Sequence, residues 1–210
     1  MNKRIRKNLI EIAQQEIHND PSHDFSHALR VLILAEKISK NEGGDLDIIV
    51  PAALFHDIIA YPKNSKQREK SQPHSALKTT LILKKIKFPN EKIKKITSII
   101  KGCSFSKSQN ANSLEEKIIH DADLLEATGA ISIMRTFASV GSMNRSFYDI
   151  KKPFPRKRPI DDKRYGIDLF YTRLLLVKDY LHTKSARLIC INRHKFLRLF
   201  LKQVEKEITL

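Results

Sequence analysis

Ala52-Ala53-Leu54-Phe55-His56-Asp57-Ile58-Ile59 is the stretch on which the reading of this chain turns. Its residues are apolar except for a histidine and an aspartate set side by side. An imidazole and a carboxylate are costly to bury unless a partner or a metal ion satisfies them. The pair therefore marks the run as more than core. Upstream, Ile48, Ile49 and Val50 extend the apolar character, so the pattern over about 46–60 predicts a helix enclosed on nearly all sides by others.

Helical periodicity continues on both sides of that segment. Over residues 3–18, Ile5, Leu9, Ile12, Ala13 and Ile17 recur at spacings of three and four. A second helix carries Leu29, Leu32, Ile33, Ala35 and Ile38 until Gly43-Gly44 stops it. Residues 61–73 read as a charged loop. Ser75 to Lys87 and Asn90 to Lys101 then read as two basic amphipathic helices parted by Pro89. Ser113 and Glu116 form a possible capping box before a long helix, or a kinked pair, over 113–140. Two final helices are expected over 167–181 and 184–207. Between them and the preceding helices, residues 141–166 include Lys151-Lys152-Pro153-Phe154-Pro155-Arg156-Lys157-Arg158-Pro159, where prolines and like charges disfavour regular structure. The expectation is an all-α fold, a single compact helical domain over 1–210 with one long basic loop.

The chain has 210 residues, enough for one substantial core, and no glycine- or serine-rich linker divides it. No apolar run is long enough to cross a bilayer, and the N-terminus lacks a signal core. A cytoplasmic protein without a membrane partner is expected. Cys103 and Cys190 are too few and too isolated for a disulfide framework. The formal net charge of +16 predicts attraction to an anion, although lysine pairs such as Lys84-Lys85 and Lys94-Lys95 also read as solvated helix faces. Nucleic acid is the weaker candidate, because tryptophan is absent, aromatics make up only 7% and no DNA-binding motif is visible. Neither a Walker lysine loop nor a Rossmann glycine motif is present.

Three groups carry candidate chemistry. Asp24 and His27 are three residues apart at the start of a helix and share a face. Adjacent helical residues such as His56 and Asp57 point about 100° apart, so an ion lying between the two directions can take both. Asp121 and Asp123 face nearly opposite ways on a helix, and only one of them can be a direct ligand. Each group alone has an ordinary reading as a helix-start pair or a solvated face. Together, two imidazoles and two carboxylates suit manganese, iron, nickel, cobalt or zinc, with magnesium preferring fewer nitrogens; the sequence does not distinguish among these divalent ions. Such an ion makes bound water a nucleophile near neutral pH and polarises a phosphoryl oxygen, so hydrolysis of a phosphoester or phosphoanhydride is the expected reaction.

The order His27, His56-Asp57, Asp123 on successive helices resembles the HD-domain superfamily of metal-dependent phosphohydrolases. Within it, Ser22-His23-Asp24-x-x-His27-x-x-Arg30-Val31 and Ala52-Ala53-Leu54-Phe55-His56-Asp57-Ile58, followed by Pro62-Lys63-Asn64, are similar to a branch of small bacterial hydrolases akin to YedJ. Asp121-Ala122-Asp123-x-Leu125-Glu126-Ala127-x-Gly129-Ala130 and Arg158-Pro159-Ile160-Asp161-Asp162-Lys163-Arg164-Tyr165 fit the same branch. The resemblance implies that His27, His56, Asp57 and Asp123 hold the metal. It selects Asp123 over Asp121, and leaves Asp24 or Asp121 as groups orienting a ligand imidazole or nearby backbone. One departure stands out. Cys103-Ser104-Phe105-Ser106 occupies a place where the branch usually reads His-Ser-Phe-Ser, which favours a single ion over two.

Besides Asp57, His74 is a catalytic candidate, as a proton donor to the leaving oxygen. Arg30, one turn beyond His27, together with Lys63, Asn64 and Arg68 after the His-Asp pair, is expected to contact a phosphorylated substrate. Lys163, at the end of the basic loop, joins them if that loop closes as a lid; its other reading is a salt-bridged loop anchor. The expected substrate is small and phosphorylated, with nucleotides favoured because related enzymes often cleave them. The alternative is a catalytically weak module that binds nucleotide or nucleic acid for regulation. The oligomeric state is not readable.

Overall fold

Ile48 to Phe55 are eight consecutive buried residues, and only a helix packed on several sides can bury so long a run. The computed structural model describes residues 1–17, 24–61, 65–103, 111–156 and 158–208. Among these residues every regular element is helical, apart from a lone bridge between Ser146 and Tyr165. The fold is all-α, as the periodicity predicts. Packing divides the chain into two compact units, Met1–Asp123 and Leu124–Leu210.

The first unit holds α1 (Lys3–Glu16), α2 (Phe25–Glu42), α3 (Leu46–Phe55), α4 (Ser71–Lys85), α5 (Asn90–Gly102) and most of α6 (Leu114–Leu125). A single 3-10 turn, Arg68–Lys70, leads into α4. Helix α3 is central and packs against α1, α2, α4 and α5. Leu32, Ile38, Ile49, Leu54, Phe55, Ile96, Ile100, Ile118 and Ile119 are fully buried in this unit. Truncating one such side chain, Phe55 for example, costs about 3–5 kcal/mol. The sharp turn from α2 to α3 uses Gly43 and Gly44, at φ 91° and 98°, a region disfavoured for residues with a Cβ. At Gly44 a Cβ would also stand 2.9 Å from Ile49 Cδ1. The serine half of the expected capping box opens α6, with Ser113 Oγ accepting from the Glu116 N–H at 3.1 Å, while the Glu116 carboxylate accepts the Asn112 N–H at 2.9 Å.

The expected helix over 46–60 ends early, at Phe55. Side chains of α4 take over the backbone groups that a continued helix would use. Ser75 Oγ accepts from the Ile59 N–H at 3.0 Å and donates to the Ile59 carbonyl at 3.1 Å. Ser71 Oγ accepts from the Tyr61 N–H at 3.2 Å. His56 and Asp57 thus sit at the end of the helix, not within it.

The second unit holds α7 (Gly129–Ser142), α8 (Asp168–Thr172), a 3-10 segment (Leu174–Asp179) and α9 (Lys184–Ile208). The span 113–140 is therefore a broken pair, separated by Glu126-Ala127-Thr128. At Gly129, with φ 76°, a Cβ would meet Arg193 Cγ at 3.1 Å. The expected helix over 167–181 also breaks. One reason is that the Leu174 carbonyl is engaged by His194 Nε2 at 3.0 Å. The core of this unit gathers Phe154, Ile167, Phe170, Leu174, Leu175, Leu197 and Leu201. Phe170 and Phe200 stack with centroids 5.6 Å apart.

The basic loop is anchored from inside. Arg158 donates to Asp168 Oδ2 at 2.6 Å and to Oδ1 at 2.7 Å, the two-pronged geometry of the strongest carboxylate pairs. Asp168 is fully buried and also accepts the Asp161 N–H at 2.7 Å. The Arg158 guanidinium lies 4.4 Å from the Tyr165 ring centroid, and the Tyr165 hydroxyl donates to Asp149 at 2.6 Å.

Candidate metal centre

Three helices of the first unit bring four side chains to one point. Asp24 is the N-cap of α2, and its Oδ1 accepts the His27 N–H at 2.8 Å. That cap fixes where α2 begins and so where the His27 ring projects. Burial pushes the Asp24 carboxyl up, but the Ser26 hydroxyl, the His27 N–H and Arg30 outweigh it and leave the group below its ordinary value. His56 comes from the end of α3. Its Nδ1 meets the Ala53 carbonyl at 2.8 Å, a contact that requires a proton on Nδ1. A neutral ring held this way carries its lone pair on Nε2.

The two Nε2 atoms of His27 and His56 stand 3.3 Å apart, and each residue is 1% exposed. Asp123 Oδ1, from α6, lies 3.5 Å from His27 Nε2 and 3.7 Å from His56 Nε2. Asp57 Oδ2 lies 3.6 Å from His56 Nε2. His27, His56 and Asp57 have ligand atoms within 4.8 Å of one another. Two imidazole nitrogens and two carboxylates, gathered this closely with one side part-open through Asp123, are a fitting donor set for one divalent cation. In the metal-free protein, burial lowers the His56 pKa, but the charges of Asp57 and Asp123 overcome it and carry the value to about 9.

Asp121, the other carboxylate of the α6 pair, is fully buried beside His120, with Oδ1 3.2 Å from His120 Nδ1. Cys103 is half-buried. Burial raises its thiol well above the ordinary value, and Asp123, Asp57 and Glu116 push the same way. It remains a neutral thiol, the poorer ligand form.

Arg30 donates to Ser26 Oγ at 2.8 Å, at the start of α2. Arg68 is exposed in the 3-10 turn. Lys63 and Asn64 lie outside the described residues. His74 Nδ1 pairs with the Tyr61 hydroxyl at 2.9 Å. Lys163 belongs to the second unit, where it lines an open cavity of about 500 Å³ with Arg145, Arg164 and Asp161. Residues that the sequence reading missed are Gln72, whose Nε2 lies 3.4 Å from Asp57 Oδ1, and Ser75. Their signal was the polar string Ser71-Gln72-Pro73-His74-Ser75 opening a helix whose other residues are ordinary amphipathic ones.

The HD-domain family model matches residues 24–128, which contain all four clustered side chains. The chain belongs to the HD-domain family. The Bacillus subtilis protein YpgQ is 30% identical to this HD-domain chain over 203 residues, covering 92% of it and 89% of YpgQ. A crystal structure of YpgQ in complex with ADP matches 97% of the chain and 98% of YpgQ at TM-score 0.76 and 28% identity. The Lin1889 protein of Listeria innocua is 34% identical, with TM-score 0.76 and coverage of 100% and 99%. An HD-superfamily hydrolase from Bacillus thuringiensis is 30% identical, with TM-score 0.75 and coverage of 98% and 97%. Membership of this family supports a metal-dependent hydrolase of phosphorylated compounds in general. No described helix is long and apolar enough to cross a membrane.

Proposed function

We propose that residues 1–210 act as one metal-dependent phosphohydrolase that cleaves a phosphoester or phosphoanhydride bond of a small phosphorylated substrate, with a nucleotide as the favoured class. The observation that carries this reading is the convergence of His27, His56, Asp57 and Asp123 within 3.3 to 3.7 Å contacts. The nucleotide preference rests on YpgQ, a relative crystallised with ADP.

His27, His56, Asp57 and Asp123 hold the cation. A divalent ion there supplies positive charge that acidifies water and draws electron density from a phosphoryl oxygen. His56 presents Nε2 because its Nδ1 proton is tied to Ala53. Burial keeps the two imidazoles in place and limits competing water on their side. Asp57 turns Oδ2 toward His56 and Oδ1 toward Gln72, and accepts a proton during the reaction. His74 gives a proton to the leaving oxygen, with the Tyr61 hydroxyl orienting its ring through Nδ1. Arg30, Lys63, Asn64, Arg68 and Lys163 supply charge and hydrogen bonds to the phosphate groups.

The test is release of phosphate or pyrophosphate from a nucleotide panel and from simple phosphate esters, with manganese, nickel, cobalt or magnesium added. Turnover in the parent protein that disappears in both His56→Ala and Asp57→Ala is the expected result. Metal binding without turnover on any substrate overturns the hydrolase reading in favour of a regulatory nucleotide-binding module.

A further inference from the structure

Four of the five residues that open α4 reach back to Asp57 or to the segment that follows it. Ser71 Oγ accepts from the Tyr61 N–H at 3.2 Å. Gln72 Nε2 points at Asp57 Oδ1, 3.4 Å away. His74 Nδ1 and the Tyr61 hydroxyl are 2.9 Å apart, with the rings edge to face. Ser75, fully buried, bonds both backbone groups of Ile59, at 3.0 and 3.1 Å. An ordinary amphipathic helix start spends its serines on its own unpaired N–H groups. Here those hydroxyls serve another segment instead.

We propose that Ser71, Gln72 and Ser75 are positioning residues that form an orienting clamp for Asp57, a role that rests on the metal reading of the quartet. The clamp acts at two points. Ser71 and Ser75 satisfy the backbone of Ile59 and Tyr61 outside any helix, so α3 stops at Phe55 and the chain turns at Asp57 instead of carrying it onward at helical pitch. Gln72 then acts on the carboxylate itself by donating to Oδ1, which leaves Oδ2 facing His56 Nε2 at 3.6 Å. A carboxylate held from one oxygen loses less rotational freedom on binding a cation. Outer contacts of this kind are typically worth about 10- to 100-fold in metal affinity.

The test titrates the metal-free full chain with cobalt(II), reading affinity by calorimetry and ligand geometry by the visible absorption of the bound ion. The melting temperature of the metal-free protein is measured alongside. Gln72→Met keeps the length of the side chain and removes its N–H. It is expected to weaken cobalt binding by about 10- to 100-fold, alter the cobalt spectrum and leave the metal-free melting temperature unchanged. Ser75→Ala should lower affinity and melting temperature together, because it also frees two backbone groups. Parent-like affinity and spectrum in Gln72→Met overturn the clamp, as does a loss of melting temperature in Gln72→Met that accounts for its weaker binding. If the parent protein itself takes up no cobalt, the metal reading fails, and the clamp falls with it. Uptake that survives His56→Ala likewise points to the metal reading, not to Gln72.

Discussion

Two buried polar clusters, one in each unit, are built on opposite principles. In the second unit, Arg158 and Asp168 neutralise each other through paired bonds of 2.6 and 2.7 Å, and the Asp161 N–H takes a further place on the carboxylate. Donors there face acceptors. In the first unit, His27, His56, Asp57 and Asp123 turn lone pairs or like charges toward a common point. Acceptors there face acceptors unless His56 carries a second proton. The first arrangement completes itself and serves the fold, whereas the second is favourable only when a cation or proton is added. Buried charge alone is therefore no guide to function; the orientation of the groups separates an anchor from a site.

The contrast can be broken most directly at the quartet. His56→Ala and Asp57→Ala should each abolish turnover and weaken metal binding by more than the roughly 10- to 100-fold carried by an outer contact. At neutral pH the metal-free melting temperature should fall modestly in His56→Ala, which removes the protonated imidazole facing Asp57 and Asp123, and change less in Asp57→Ala. Metal titration and thermal melting of the same samples check both halves. A large metal-free destabilisation would make the quartet an anchor after all.

Arg158→Ala should do the reverse. It leaves Asp168 buried without its partner, a loss of about 3–5 kcal/mol in unfolding free energy by denaturant titration. Replacing Arg158 and Asp168 together with apolar residues of similar size should cost less than the single change. If Arg158→Ala instead spares stability and removes turnover, the basic loop is part of the active machinery and not only an anchor of its own unit.

A smaller effect lies in the pH dependence of metal uptake. His56 in the metal-free protein titrates at about 9, so it is protonated at neutral pH and must lose that proton to bind a cation through Nε2. Uptake should release protons, seen as a buffer-dependent heat in calorimetry, and affinity should climb as pH rises toward 9. The raised value also means that protonated His56 stabilises the metal-free fold fully below its unfolded pKa, near 6.5. That contribution fades as pH rises through 9.

The smallest effect belongs to Asp149 in the loop. The Tyr165 hydroxyl, with the N–H groups of Lys152 and Lys151, holds its pKa at about 2. A depressed carboxylate contributes stability above its unfolded value, and the contribution is lost as pH falls toward 2. Asp149→Asn should flatten the acid limb of the melting profile and leave neutral-pH activity intact.

Much of the fold was legible because apolar spacing reports which face of a segment must leave water. Leu9 and Ala13 in α1, the wholly apolar α3, and the Ser113–Glu116 cap all sit as the pattern requires. The errors fell where distant groups captured backbone atoms. Helix α3 stops at Phe55 because Ser71 and Ser75 bond residues 59 and 61, and the span after Asp168 breaks where His194 engages Leu174. No local propensity encodes such bonds.

The sequence by itself determined the helical class, the enclosed α3, and the four residue types in an order that resembles an HD-domain site. Those follow from periodicity and composition, which are local. Only the tertiary structure decided that Asp123 and not Asp121 stands beside the imidazoles, that Ala53 sets the His56 tautomer, and that Arg158 belongs to Asp168. Each of those outcomes depends on the direction of a side chain meeting a group brought to it by packing, and direction in three dimensions is what spacing along a chain does not carry.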